Sequence, residues 1–126
     1  MSELKQAMVL TAGMSTRMRP LTTHIPKILL PCIGKNLFER MLDYCELQGI
    51  SSVSMNVFHG REPLLTEIMK SPHSVKVTPF NEEPIRGTGG GIHGMQTFIT
   101  DDHFAVINCD FLTEAVLQDM FKYHIS

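Results

Sequence analysis

The chain has 126 residues, 43% of them hydrophobic and 19% charged, which is typical of one globular domain with its own core. Its net charge of −2 argues against a nucleic-acid partner, because such proteins usually carry a strongly basic face. No apolar run approaches the roughly 20 residues of a membrane span, and the N-terminus does not resemble a signal peptide. The three cysteines, Cys32, Cys45 and Cys109, lack metal-ligand or disulfide-framework spacing, so we expect reduced thiols and a cytoplasmic protein.

Strand and helix patterns alternate along the chain. Residues 7–10 form an apolar run typical of a buried strand. A helix is expected to begin at Asn36, which has capping-box spacing to Glu39, and to end near Gly49. Further strands are predicted at 53–58, 75–80 and 104–107, and further helices at 63–70, at 92–98 and after a cap at Thr113. This alternation predicts an α/β fold, a Rossmann-like and mostly parallel sheet with flanking helices, in a single domain spanning residues 1–126.

The segment that follows the first strand is basic and contains no acidic residue between Glu3 and Glu39. Backbone N–H groups around Gly13 can approach a phosphate closely, Arg17 can bind phosphate oxygens as a fork, and Lys27 can add a point charge. A buried strand that runs into such a loop predicts a site for a polyanion, with a nucleotide phosphate chain as the favoured ligand. The alternative is a solvated basic loop. The four cations of the segment are Arg17, Arg19, Lys27 and Lys35.

A carboxylate follows the last predicted strand, in the sequence Asn108-Cys109-Asp110. Ligands of open α/β sheets bind beyond the carboxyl ends of the strands, so Asp110 is expected to face the basic loop. A carboxylate in that position is suited to hold Mg²⁺ against a nucleotide, although a strand-end aspartate also commonly begins a turn. Asp101 and Asp102 precede the strand and are expected at the opposite end of the sheet.

Glycines are concentrated between Gly87 and Gly94. Such residues allow a base or a phosphate to lie directly on the backbone, and the alternative is a flexible loop. Residues 89–94 also match the pattern GxGxxG, with Asp110 at about the spacing of a dinucleotide-binding fingerprint. That interpretation is less favoured, because the polar stretch 81–86 separates the glycines from the preceding strand and the basic loop is left without a function.

These motifs together resemble the sugar-1-phosphate nucleotidyltransferases. Residues 11–22 and 26–31 are similar to that family's signature AAGxGTRLxPLT followed by PKxLLP. Residues 108–110 resemble its NGD metal motif. Glu83-Pro84 and residues 88–91 resemble the EP…TGGG stretch of the MurNAc-1-phosphate uridylyltransferase and mannose-1-phosphate guanylyltransferase branch. The resemblance covers almost the whole chain.

The resemblance implies an enzyme of nucleotide-sugar biosynthesis, which transfers a nucleoside monophosphate from UTP or GTP to a sugar-1-phosphate and releases pyrophosphate. It implies that Arg17 neutralises the leaving phosphates, that Lys27 lies between the α-phosphate and the sugar phosphate, and that Asp110 binds Mg²⁺. It also implies a set of nucleotide-binding residues. These are Ala12, Gly13, Met14, Ser15, Thr16, Glu83, Thr88, Gly89 and Gly90.

Family members are usually longer, so the resemblance implies that residues 1–126 are the N-terminal, nucleotide-binding part of a truncated nucleotide-diphospho-sugar transferase fold. We therefore expect weak turnover or none from the chain alone. A non-catalytic nucleotide-binding or regulatory module stays open as the alternative. The sugar, the choice of nucleotide and the formation of a homo-oligomer also stay open.

Overall fold

The computed structural model describes residues 3–11, 16–57, 61–81, 87–110 and 112–126. Strands and helices alternate through these ranges. The strands are β1 (Gln6–Leu10), β2 (Pro31–Cys32), β3 (Lys35–Asn36), β4 (Ser52–Val57), β5 (Lys76–Asn81) and β6 (Ala105–Asn108). The helices are α1 (Leu37–Leu47), α2 (Arg61–Lys70), α3 (Gly87–Gly94) and α4 (Leu117–Ile125), with 3₁₀ helices at Thr16–Met18, Lys27–Leu29 and Gln96–Phe98.

Four strands form one parallel sheet in the order β5-β4-β1-β6, as the sequence predicts. β1 lies inside the sheet, where Leu10 is opposite Asn56 of β4 on one side and Asn108 of β6 on the other. The strand order therefore reverses direction at β1, since β4 follows on one side and β6 on the other. The carboxyl ends of β1 and β6 flank this switch point, which is where open α/β sheets bind their ligands.

The first strand is buried on both of its faces. Ala7 and Val9 have no exposed surface and belong to the main core, which α1 covers. Met8 points to the other face, is 1% exposed, and lines a cavity together with Ile92 and His93 of α3. A parallel sheet needs cover on both faces, and the helices supply it here.

Helix α1 begins as predicted. The Asn36 side chain accepts a hydrogen bond from the Glu39 backbone N–H at 2.8 Å, which satisfies one of the unpaired donors of the first turn. Phe38 and Leu42 are buried beneath the helix. The helix is followed by Gly49 at φ +80°, the left-handed conformation that glycine adopts without strain.

Three helix starts differ from the sequence prediction. α2 begins at Arg61 rather than at Pro63, and α3 begins at Gly87 rather than at residue 92. α4 begins only at Leu117, because the hydroxyl of Thr113 accepts from the Ala115 N–H and caps an isolated turn instead of the helix. Leu117 and Phe121 of α4 are buried, whereas the neighbouring apolar residues Val116 and Met120 are exposed.

The glycine cluster is helical rather than a loop, since residues 87–94 form α3. Close packing accounts for one of these glycines. A Cβ atom at Gly94 would lie 2.5 Å from Cε1 of Phe80 on β5, which is closer than two carbon atoms can approach. Gly87 has φ +75° at the helix start, another position that favours glycine.

The hairpin between β2 and β3 contains the one described non-glycine residue with positive φ. Ile33 has φ +53° and is followed by Gly34 at φ +80°, and the Ile33 side chain is 83% exposed. A β-branched residue is strained in this conformation. Arg40 of α1 donates from Nε to the Cys32 carbonyl at 2.6 Å and from Nη2 to the Ile33 carbonyl. These two hydrogen bonds hold the turn against α1.

Replacing Ile33 with asparagine should stabilise the protein. Asparagine tolerates positive φ and favours two-residue hairpin turns before glycine, so Ile33→Asn should raise the free energy of unfolding by about 1 kcal/mol. Urea denaturation followed by circular dichroism measures the change. Ile25→Asn is the matched control, because Ile25 is also exposed but does not have a positive φ. This substitution should not raise the free energy of unfolding. An equal effect of the two substitutions would show that loss of an exposed apolar side chain, and not relief of strain, is responsible.

Candidate functional site

The exit of the chain from β1 is fixed by Asn56 of the neighbouring strand. The Thr11 backbone N–H donates to Oδ1 of Asn56 at 2.7 Å, and the Thr11 hydroxyl donates to the Asn56 carbonyl. Asn56 is 2% exposed, so its side chain is buried near the carboxyl edge of the sheet. The sequence pattern predicts a strand at 53–58 and assigns no role to Asn56. The available signal was a polar amide near the carboxyl end of a strand at the switch-point edge.

Lys27 is positioned by a short, anchored turn. Pro26 has φ −63°, which suits the residue before a 3₁₀ helix, and the Leu29 N–H donates to its carbonyl at 2.9 Å. Ile28 is 1% exposed and belongs to the same core cluster as the buried face of α1. Because the neighbouring residue is buried, the backbone at Lys27 is held in place while its side chain reaches outward.

The structure brings Lys27 and Asp110 together. The distance from Nζ of Lys27 to Oδ2 of Asp110 is 3.1 Å, although the two residues are 83 positions apart in sequence. The Lys27 side chain is 24% exposed and that of Asp110 is 49% exposed. Two candidate residues that were identified in separate motifs therefore meet at the carboxyl edge of the sheet.

The residue before Asp110 contributes no charge at neutral pH. Cys109 is 7% exposed, and burial raises the pKa of its thiol to about 11, even though the nearby Lys27 ammonium acts in the opposite direction. The thiol is therefore protonated and unsuited to act as a nucleophile. Asp110 carries the only ionised group of the motif at residues 108–110.

Arg17 lies in the first 3₁₀ helix after β1, and its side chain is exposed. Within the described ranges, no carboxylate pairs with its guanidinium. The turn continues through the Leu21 N–H, which donates to the Met18 carbonyl at 2.9 Å. Arg17 thus presents its charge to solvent on the segment that follows the β1 edge.

The other candidate residues fall into two groups. Ala12, Gly13, Met14, Ser15 and Glu83 lie outside the described residues, and Thr16 is described only as the first residue of a 3₁₀ helix.

The second group, Thr88, Gly89 and Gly90, lies in the first turn of α3. Their backbone N–H groups belong to a helix N-terminus, which favours an anion. The whole GxGxxG stretch is helical, which argues against dinucleotide binding, because that fingerprint requires its first glycine in the turn before the helix.

The site could supply one ligand to a divalent cation, the carboxylate of Asp110. The Asp110 carboxylate already attracts a cation, the Lys27 ammonium, and carboxylate oxygen is the donor that Mg²⁺ prefers. Among the described residues, no cluster of three or more histidine, cysteine or acidic side chains is placed to enclose a metal. Such a site would leave the remaining metal positions to phosphate oxygens and water.

Asp101 lies at the opposite end of the sheet, as predicted. Its backbone N–H donates to Oε1 of Gln6, the first residue of β1, at 2.9 Å.

In the described part of the chain, no helix has the length and apolar character required to cross a membrane.

A parallel sheet whose strand order reverses at β1 defines a Rossmann-like α/β fold, and Lys27 and Asp110 pair at its switch point. The family model of the nucleotidyl transferases matches residues 6–126. The chain therefore belongs to the nucleotidyl transferase family.

Its relatives include sugar-1-phosphate guanylyltransferases. The chain is 28% identical over 121 residues to D-glycero-alpha-D-manno-heptose 1-phosphate guanylyltransferase of Aneurinibacillus thermoaerophilus, covering 96% of this chain and 53% of the relative. It is 32% identical over 121 residues to mannose-1-phosphate guanylyltransferase of Mycobacterium tuberculosis, covering 95% of this chain and 34% of the relative. The chain thus spans between a third and about half of these relatives.

A solved structure of HddC from Yersinia pseudotuberculosis, complexed with GMP-PN, superposes with a TM-score of 0.88 at 25% identity. The match covers 98% of this chain and 55% of that structure. It supports the predicted nucleotide-diphospho-sugar transferase fold over the part of the domain that this chain represents.

Substitution of Asn56 should destabilise the site edge. Asn56→Ala leaves the Thr11 N–H without its side-chain acceptor, so the free energy of unfolding should fall by about 1–3 kcal/mol. Ser54→Ala is the matched control on the same strand, since Ser54 is 3% exposed and its hydroxyl has no hydrogen-bond partner in the described structure. Urea denaturation compares the two, and the control should be neutral or stabilising. A loss for Asn56→Ala no larger than that for Ser54→Ala would contradict this role.

Proposed function

We propose that the chain binds a nucleoside triphosphate with Mg²⁺ at the carboxyl edge of β1 and β6. We propose further that it forms the nucleotide-binding part of a sugar-1-phosphate nucleotidyltransferase. The 3.1 Å contact between Lys27 and Asp110 at the switch point is the observation that carries this proposal. It joins a cation and a carboxylate at the place where this class of sheet binds its ligands.

The reaction needs positioning and charge neutralisation more than covalent chemistry. An oxygen of the sugar-1-phosphate attacks the α-phosphorus of the triphosphate, the bond to the bridging oxygen breaks, and pyrophosphate leaves with that oxygen. Arg17 binds the β- and γ-phosphates as a fork and stabilises the leaving group. Lys27 places its ammonium between the α-phosphate and the incoming sugar phosphate and reduces their repulsion.

Asp110 would hold Mg²⁺ through its carboxylate, and the metal, when bound, supplies charge neutralisation at the phosphates. The backbone of residues 12–16 would approach the phosphates. Glu83 and residues 88–90 would lie by the base, where the first-turn N–H groups of α3 favour polar or anionic groups. The guanylyltransferase relatives support GTP as the first nucleotide to test, with UTP as the alternative.

A non-catalytic nucleotide-binding module is the second candidate. One observation favours it: within the described ranges, no group of three or more histidine, cysteine or acidic side chains could hold a metal, and Asp110 contributes one carboxylate to the site. Such a module would bind a nucleotide through Arg17 and Lys27 without transferring it. For either candidate, the free thiols of Cys32, Cys45 and Cys109 support a cytoplasmic location.

Loss of either cation should weaken nucleotide binding. Arg17→Ala and Lys27→Ala each remove charge-assisted hydrogen bonds to phosphate, so the Kd for GTP or UTP with Mg²⁺ should rise by about ten- to a hundredfold. Titration calorimetry measures the Kd, and a pyrophosphate-release assay with mannose-1-phosphate and other sugar-1-phosphates tests for turnover. Lys5→Ala removes an exposed cation at the opposite end of β1 and should change nothing.

The outcomes separate the two candidates. Binding that depends on Arg17 together with pyrophosphate release supports the transferase. The same binding without release, even in the longest natural form of the protein, supports the module. If nucleotide affinity and turnover are unchanged in both Arg17→Ala and Lys27→Ala, the site assignment is wrong.

A further inference from the structure

The contact between Lys27 and Asp110 competes with the roles proposed for both residues. The Lys27 ammonium lies 3.1 Å from Oδ2 of Asp110, so it occupies one of the two carboxylate oxygens and places a positive charge beside the other. The phosphate role of Lys27 requires the same ammonium to face the nucleotide.

We propose that Lys27 acts as a resident counter-cation of Asp110 that is exchanged for the divalent metal when a nucleotide binds. This inference rests on the proposed function. In the nucleotide-free protein, the ammonium neutralises the carboxylate and repels a divalent cation. Phosphates of an arriving nucleotide attract the ammonium away, and the carboxylate becomes available to the metal that the nucleotide carries. Metal and nucleotide thus bind together rather than in sequence.

The surroundings of the pair allow this exchange. Its two side chains are 24% and 49% exposed, so water weakens their attraction and separating them costs little. The 3₁₀ turn and the buried Ile28 fix the backbone at Lys27, so its ammonium can change partners by rotation of the side chain alone. In the described part of the chain, Lys27 is the cation that contacts Asp110.

The chain offers a matched control in a second ion pair. Nζ of Lys35 lies 2.6 Å from Oδ2 of Asp43, with side chains 48% and 40% exposed. The other oxygen of Asp43 lies 2.6 Å from Nε2 of His73, so this carboxylate keeps a partner when Lys35 is removed. The pair joins β3 to α1 and has no part in the proposed site.

The exchange predicts an unusual gain of metal affinity. Binding of Mn²⁺ to the nucleotide-free chain, measured from the free-ion signal in electron paramagnetic resonance, should be about three- to tenfold tighter in Lys27→Met than in the wild type. Lys27→Arg keeps the charge and should bind Mn²⁺ like the wild type, as should Lys35→Met. The double variant Lys27→Met with Asp110→Asn should lose the gain. Mn²⁺ binding in Lys27→Met that is equal to or weaker than wild type would overturn the proposal, as would a gain that survives in the double variant.

A second measurement follows the lysine itself. After reductive ¹³C-methylation, which preserves the positive charge, the Lys27 signal is assigned by its absence in Lys27→Arg. It should shift with Mg²⁺ and GTP together and stay in place with Mg²⁺ alone; a shift with Mg²⁺ alone would contradict the exchange. If Lys27→Met binds Mn²⁺ more tightly but the wild type binds no nucleotide, the counter-cation role stands and the proposed function fails. If nucleotide binding depends on Lys27 without any gain in metal affinity, the proposed function stands and the exchange is wrong.

Discussion

The structure depends on the complete burial of β1 between two parallel neighbours. Ala7, Met8 and Val9 have at most 1% exposure, and β4 and β6 satisfy the backbone of β1 on both sides. The middle of such an interior strand must be apolar, because neither face reaches water. Polar residues therefore lie at its ends: Gln6 begins the strand, and the basic segment follows its carboxyl end. The concentration of candidate residues after Leu10 and after Asn108 is a direct result of that constraint.

The site residues come from segments whose positions are set by apolar neighbours. Lys27 is placed by Ile28 beneath it, and Asp110 follows the buried Cys109 and the buried strand residue Ile107. Each charged side chain is thus one position away from a residue of the core. This arrangement fixes the backbone positions while leaving the charged ends partly in water.

Much of this was predictable from sequence, and the exceptions have physical causes. The parallel fold was predictable from the apolar run at β1, the cap at Asn36 and the alternation of strands and helices. The rule that ligands bind beyond the carboxyl ends of strands predicted that Asp110 faces the basic segment that contains Lys27. The prediction that Thr113 caps α4 was wrong, because serine and threonine side chains also cap isolated turns. The helical start of α3 at Gly87 was missed because glycine has a low helix propensity. The close contact of Gly94 with Phe80 is long-range, so local sequence does not reveal it.

The contact between Thr11 and Asn56 restricts which residues can occupy position 56 in related proteins. It ties Thr11, the first residue of the signature-like segment, to Asn56, which lies 45 positions away and outside the motifs identified in the sequence. Relatives in which position 56 cannot accept a hydrogen bond must provide another acceptor near the end of β1, or move the loop. Variation at position 56 should therefore be correlated with variation in residues 11–17 across homologues.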